Sequence, residues 1–181
     1  MEECRGDWEA ARRAYHEACI GFEQTQQPIF APLARADLGR VLARQREWDA
    51  AAMHLLHAQE AFGAYAFPYG AVLVKLGLGM VTFGRGDAAR ARADWMDAFG
   101  IAVNGAEYLQ ALLTLGELVE SSGLHPLYDP QGIAEFLAAH PATPAFVRAR
   151  AERVRNQIGA TKNAAPKSFE EVMQFFLPVF Q

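Results

Sequence analysis

The feature that most constrains this chain is a period of forty residues. Gly6-Asp7-Trp8-Glu9-Ala10-Ala11 returns as Arg46-Glu47-Trp48-Asp49-Ala50-Ala51, and the same shift lands on Gly86-Asp87-Ala88-Ala89-Arg90-Ala91. Behind each start runs a trio at helical spacing: Ala11, Tyr15, Ala18, then Ala51, Leu55, Ala58, then Ala91, Trp95, Ala98. Small, large, small at i, i+4 and i+7 is one helix face, with a knob set between two points of close approach. A second signal keeps the same phase. Leu38-Gly39 becomes Leu78-Gly79, and Leu115-Gly116 is a third copy three residues early. Glycine inside a helix costs about 1 kcal/mol against alanine, so its recurrence at one phase predicts a helix crossing with no room for a side chain.

Composition agrees with an all-α chain. Alanine supplies 34 of the 181 residues while Val, Ile and Thr together supply 20, a balance that favours helix over strand. Half the residues are apolar and the net charge is −4; the first excludes a disordered chain and the second argues against a nucleic-acid-binding role. The longest apolar stretch, Ala71 to Phe83, is broken by Lys75 and several glycines, too short for a membrane helix. No signal peptide is visible at Met1–Asp7, and two cysteines, Cys4 and Cys19, make no disulfide framework. A cytoplasmic protein is the expectation.

Leu-Gly, a turn with an aromatic residue or Gly-Asp, and Ala-x-x-x-(aromatic or Leu)-x-x-Ala together resemble tetratricopeptide repeats, here with a longer period than that family's usual one. The resemblance covers residues 6–140. Phe136-Leu137-Ala138-Ala139-His140-Pro141-Ala142-Thr143-Pro144, followed by Arg148-Ala149-Arg150-Ala151-Glu152-Arg153-Val154, resembles the closing segment of such arrays at the C-termini of large bacterial signal-transduction ATPases and transcriptional regulators. The resemblance implies a right-handed α-solenoid of antiparallel helix pairs with a C-terminal capping helix.

Helices are predicted at 7–23, 29–44, 47–62, 67–83, 87–103 and 106–121. The repeats occupy 1–123, a divergent last repeat with closing helices 124–159, and a linker with an amphipathic C-terminal helix 160–181. In the last two stretches helices are expected at 131–139, 144–158 and 168–180, entered through Pro130, Thr143-Pro144 and a capping box at Ser168 and Glu171. Helix 7–23 reads as the second helix of a pair without its first. Either the array is incomplete, or the face near Trp8 and Tyr15 meets a partner. The apolar face of the last helix, with Phe169, Met173, Phe176 and Phe180, either closes the array or docks elsewhere.

The residues offer little chemistry. His54 and His57 stand at i, i+3 with His16 one repeat earlier, but no further metal ligand is spaced to join them; they read as surface histidines, and Cys19 as a small core residue. Neither a phosphate-binding loop nor an activated nucleophile is apparent. Arg148, Arg150, Arg153 and Arg155 spread around their helix and read as a solvated face. No catalytic residue, metal or cofactor is expected.

By the tetratricopeptide resemblance, the first helix of each pair lines a concave face that carries the family's ligand contacts. Those positions are Leu33, Ala36, Arg40, Ala43 and Arg44, then Leu73, Leu76, Met80 and Phe83, then Gln110, Leu113, Glu117 and Glu120. They form an apolar floor between two arginines and two glutamates, suited to an apolar peptide or amphipathic helix, with Arg40 and Arg44 selecting an acidic partner. The alternative for Leu76, Met80 and Phe83 is plain core. The function expected is non-catalytic protein–protein interaction in a bacterial regulatory system, with a protein or peptide partner. An effector sensor closing on a small apolar molecule, or a homo-oligomer formed through the terminal helices, are the alternatives.

Overall fold

The computed structural model describes residues 7–63, 67–120, 130–158 and 168–176. Among these, all regular structure is helical: α1 Trp8–Gln24, α2 Phe30–Arg44, α3 Trp48–Gly63, α4 Pro68–Gly84, α5 Ala88–Asn104, α6 Tyr108–Glu120, α7 Pro130–Ala139, α8 Ala145–Ile158 and α9 Phe169–Phe176. Sequence neighbours pack in pairs, and α2, α4, α6 and α8 also pack in succession, each against the next. These four form one layer, with α1, α3, α5 and α7 laid beside them. The expected helices 7–23 to 144–158 agree with the observed ones to within two residues.

The glycine and knob signals of the sequence meet each other. A Cβ on Gly39 would sit 2.7 Å from Leu55 Cγ, and one on Gly79 would run into the Trp95 indole. Gly39 of α2 and Gly79 of α4 are thus the holes for the large residues of the small–large–small trios that follow them. Leu55 also fills the space over Gly77, 2.5 Å from a notional Cβ there. The third copy differs: Gly116 faces Val147 of α8 at 3.0 Å and not a residue of α7, the helix that follows it.

Polar links recur with the same period. Gln45 bonds Glu9 and, forty residues on, Arg85 bonds Asp49. Arg35 Nη1 meets His57 Nδ1 at 2.7 Å, and Lys75 donates to Asp97 at 3.0 Å in the equivalent place. Four helix ends share one turn. Gln26, Arg46, Gly86 and Ala106 all have positive φ, between 53° and 92°. In each, that residue's N–H bonds the carbonyl three back and the next N–H bonds five back, as in Arg46 to Ala43 and Glu47 to Leu42, the Schellman arrangement. The pairs Gln26–Arg46 and Gly86–Ala106 each span twenty residues, half the period of the side chains, and the two pairs are sixty residues apart from start to start.

Asp7 and Asp87 cap α1 and α5, each side chain accepting from the third residue's N–H at 3.0 Å. Ser168 does the same for Glu171 at the start of α9, as its spacing predicts. Phe169 and Val172 of α9 are buried, and the Phe169 ring packs against Phe136, Tyr108 and His140.

Candidate functional site

The α2–α4–α6–α8 layer carries the residues expected to line a groove, and packing divides them. Ala36, Leu73 and Leu76 are no more than 1% exposed: α4 has α2 and α6 on its flanks and α3 and α5 behind it, which leaves these side chains no surface. Leu33 and Leu113 are half-buried. Gln110 is buried and bonds the Tyr69 hydroxyl. Along α4 itself, the apolar floor opens to solvent at the C-terminal end, where Phe83 is 40% exposed beside Met80 at 7%.

The charges expected on opposite sides of a groove pair with one another. Arg44 of α2 reaches across α4 to Glu117 of α6. From α8, Arg150 donates Nη1 to Glu117 at 2.9 Å and grips Glu120 with Nε at 2.5 Å and with Nη2. Arg153 adds a 3.4 Å contact to Glu120, while Arg40 pairs with Asp37 at 2.7 Å. Burial pushes the Glu117 carboxyl up, but Arg44 and Arg150 outweigh it and hold the group below the ordinary carboxylate value. Two expectations are corrected here. Arg40 and Arg44 already have carboxylate partners within the chain, and α8 is not a uniformly solvated face. Arg150 is buried, and Arg148 bonds the carbonyls of Ala138, His140 and, at 3.4 Å, Thr143. That brace ties the α7 C-terminus to the following turn, a local reason for an arginine at position 148.

Between these charges and the end of α4 lies a cavity of about 190 Å³. Trp48, Met80, Phe83 and Trp95 supply its apolar lining, and Arg44, Arg46, Glu117 and Glu120 its polar lining. Trp95 is fixed by its indole N–H, which donates to the Leu76 carbonyl at 3.1 Å, and its ring packs on Phe83. Trp48 closes in because Gly84 lacks a Cβ; a methyl there would run into the indole. Six residues expected at the site, Ala43, Arg44, Met80, Phe83, Glu117 and Glu120, therefore meet around one space. Comparison with protein-family models, curated proteins and solved structures returns no match.

Sequence reasoning passed over Trp48, Trp95, Arg46 and Arg150. The first two had been read only as marks of the repeat, although a tryptophan at the start of a helix, beside a turn, is a signal that could have placed Trp48. A second cavity, about 390 Å³, opens at the other end of α4 among Phe62, Phe67, Val74 and Ile101, with Gln59 and Lys75 beside them. Of the terminal residues, Trp8 and Tyr15 are half-buried and Phe169 is buried. Met173 and Phe176 fall in α9 beyond the described side chains, and Phe180 lies outside the described residues. Among the described residues, no group of three or more His, Cys, Asp or Glu is placed to hold a metal ion, and no helix is long and apolar enough to cross a membrane.

Proposed function

We propose that this protein is a non-catalytic interaction module, built as a tetratricopeptide-like right-handed solenoid, that binds a protein or peptide partner through the cavity at the end of α4. One observation supports this above the others: residues from α2, α3, α4, α5 and α6 converge on a single open apolar space with charged groups on its border. A concave surface with a few convergent polar groups is the usual form of a binding site. Met80 suits the role because an unbranched thioether adapts to different shapes. The Arg44–Glu117 bridge over α4 limits what can enter. A whole helix would have to displace it, whereas one apolar side chain projecting from a peptide would not.

The test is selection of a random displayed peptide library against the full chain, repeated with Phe83→Asp. The module should enrich peptides with a large apolar residue. The exposed ring of Phe83 can be replaced without unfolding, which circular dichroism would verify, and the enriched peptides should then lose binding. Absence of enrichment, or winners indifferent to Phe83→Asp, would overturn the proposal.

A further inference from the structure

The polar lining of the cavity is unequally satisfied. Glu117 accepts from Arg44 and Arg150, and Glu120 from Arg150 and Arg153, so each carboxylate already faces two guanidinium groups. Arg46 is different. It lines the same cavity, it is exposed, and it has no ion-pair partner among the described residues. The group at this border thus sets four arginines against two glutamates: Arg44 and Arg46 in the lining, and Arg150 and Arg153 behind it, with Arg46 alone of the four outside the ion pairs among the described residues. Its excess is positive, at the edge of an apolar space, in a chain whose overall charge is −4.

The position of Arg46 is fixed by the fold. It is the left-handed residue, φ 64°, of the turn between α2 and α3, and its N–H bonds the Ala43 carbonyl at 3.1 Å. Two residues later Trp48 begins α3 and enters the cavity lining. One turn thus presents a free cation and an aromatic face together.

Resting on the binding role proposed above, we infer that the partner is an acidic–apolar peptide segment, with a large apolar side chain seated among Trp48, Met80 and Phe83 and a neighbouring Asp or Glu paired with Arg46. Arg46 is the specificity determinant. Arg44, to which sequence reasoning gave that part, is a positioning residue, because Glu117 already neutralises it. A basic segment is disfavoured: its cation would have to draw Glu117 or Glu120 away from two arginines apiece. The opposite charge steers approach as well as register.

The same displayed library decides the matter when its winners are read for flanking charge. In low salt, the apolar residue should be flanked by Asp or Glu and depleted of Lys and Arg. Arg46→Glu should weaken the acidic winners about tenfold, chiefly through slower association, and raised salt should do the same to the wild type. Arg46→Gly, which suits the left-handed turn, is the companion variant in which the charge is lost and the backbone relaxed; it should weaken the same peptides with no loss of melting temperature. Neutral or basic winners that still depend on Phe83 would overturn the acidic preference and leave the binding role standing. Retention of the acidic preference in Arg46→Glu would overturn the part given to Arg46. If nothing is enriched, both readings fall.

Discussion

Two glycines in helix interiors separate packing from propensity. Gly21 in α1 has nothing within 4 Å of a notional Cβ, whereas one on Gly79 in α4 would enter the Trp95 indole, whose residue is 1% exposed. Gly21→Ala should raise stability by about 1 kcal/mol, the full propensity gain. Gly79→Ala gains the same term but overpacks a fixed ring, at a cost of about 1–3 kcal/mol that rises further if the indole loses its bond to Leu76. Urea midpoints should move in opposite directions for the two variants; a rise for both would show that Trp95 gives way freely. Glu117 makes the second residue-scale prediction. Its carboxyl is held below the ordinary value of 4.5, so the stability it contributes is complete above that pH and is lost as pH falls through the lower folded value. Glu117→Ala takes from Arg44 its carboxylate partner and leaves the buried Arg150 with Glu120 alone, a loss of about 3 kcal/mol near neutrality. The gap between wild-type and variant melting temperatures should therefore stay level from neutral pH to about 5 and shrink only in stronger acid. These two cases also mark how far the sequence could be read. Gly79 and Trp95 were legible because each recurs at a fixed phase. The contact of Glu117 with Arg44, 73 residues away, was not, because no local spacing encodes which helices end up two places apart in the layer.

At the scale of elements, the turns matter more than the helices they join. Ala106 adopts φ 57° where the equivalent position between α4 and α5 holds Gly86. A left-handed backbone strains any residue with a Cβ, so Ala106→Gly should stabilise by about 0.5–1 kcal/mol after the added freedom of the unfolded chain is deducted. Gly86→Ala should do the reverse, with nothing but backbone strain responsible, since no atom lies within 4 Å of its would-be Cβ. Thermal unfolding of the pair would check this, and equal effects of the same sign would refute it. The recurrence of these turns was hidden in the sequence because Gln26, Arg46 and Ala106 hold the left-handed position in spite of its strain, so that only Gly86 marks it. At α8 the misreading had another cause. Arginines spread around a helix look solvated on a wheel, yet Arg148 and Arg150 are turned inward by partners that lie on other elements.

For the whole molecule, the order of packing sets the order of opening. In an array each element is stabilised mainly by its neighbours, and α4 is packed by α2, α3, α5 and α6, more partners than α1 has. Amide exchange should accordingly be slowest in α4 and faster in α1, which is held mainly by α2 and by the links of Glu9 and Arg12 to the turn after it. The bridge from Arg44 to Glu117 and on to Arg150 couples α2, α6 and α8 across that gradient. In Glu117→Ala, exchange in α8 should quicken relative to α4, and uniform rates throughout both proteins would contradict this picture.

Because the turns at Gln26, Arg46, Gly86 and Ala106 share one backbone form and stand at multiples of twenty residues from one another, the chain has two natural cut-and-join lengths. Forty residues excised or duplicated between turns restore both the backbone joint and the match of glycine hole to aromatic or aliphatic knob. Twenty residues restore only the joint, and would set a glycine-bearing helix where a knob is required. At these four turns an exchange of segments is therefore free in its backbone geometry, but only the forty-residue exchange keeps the side chains matched.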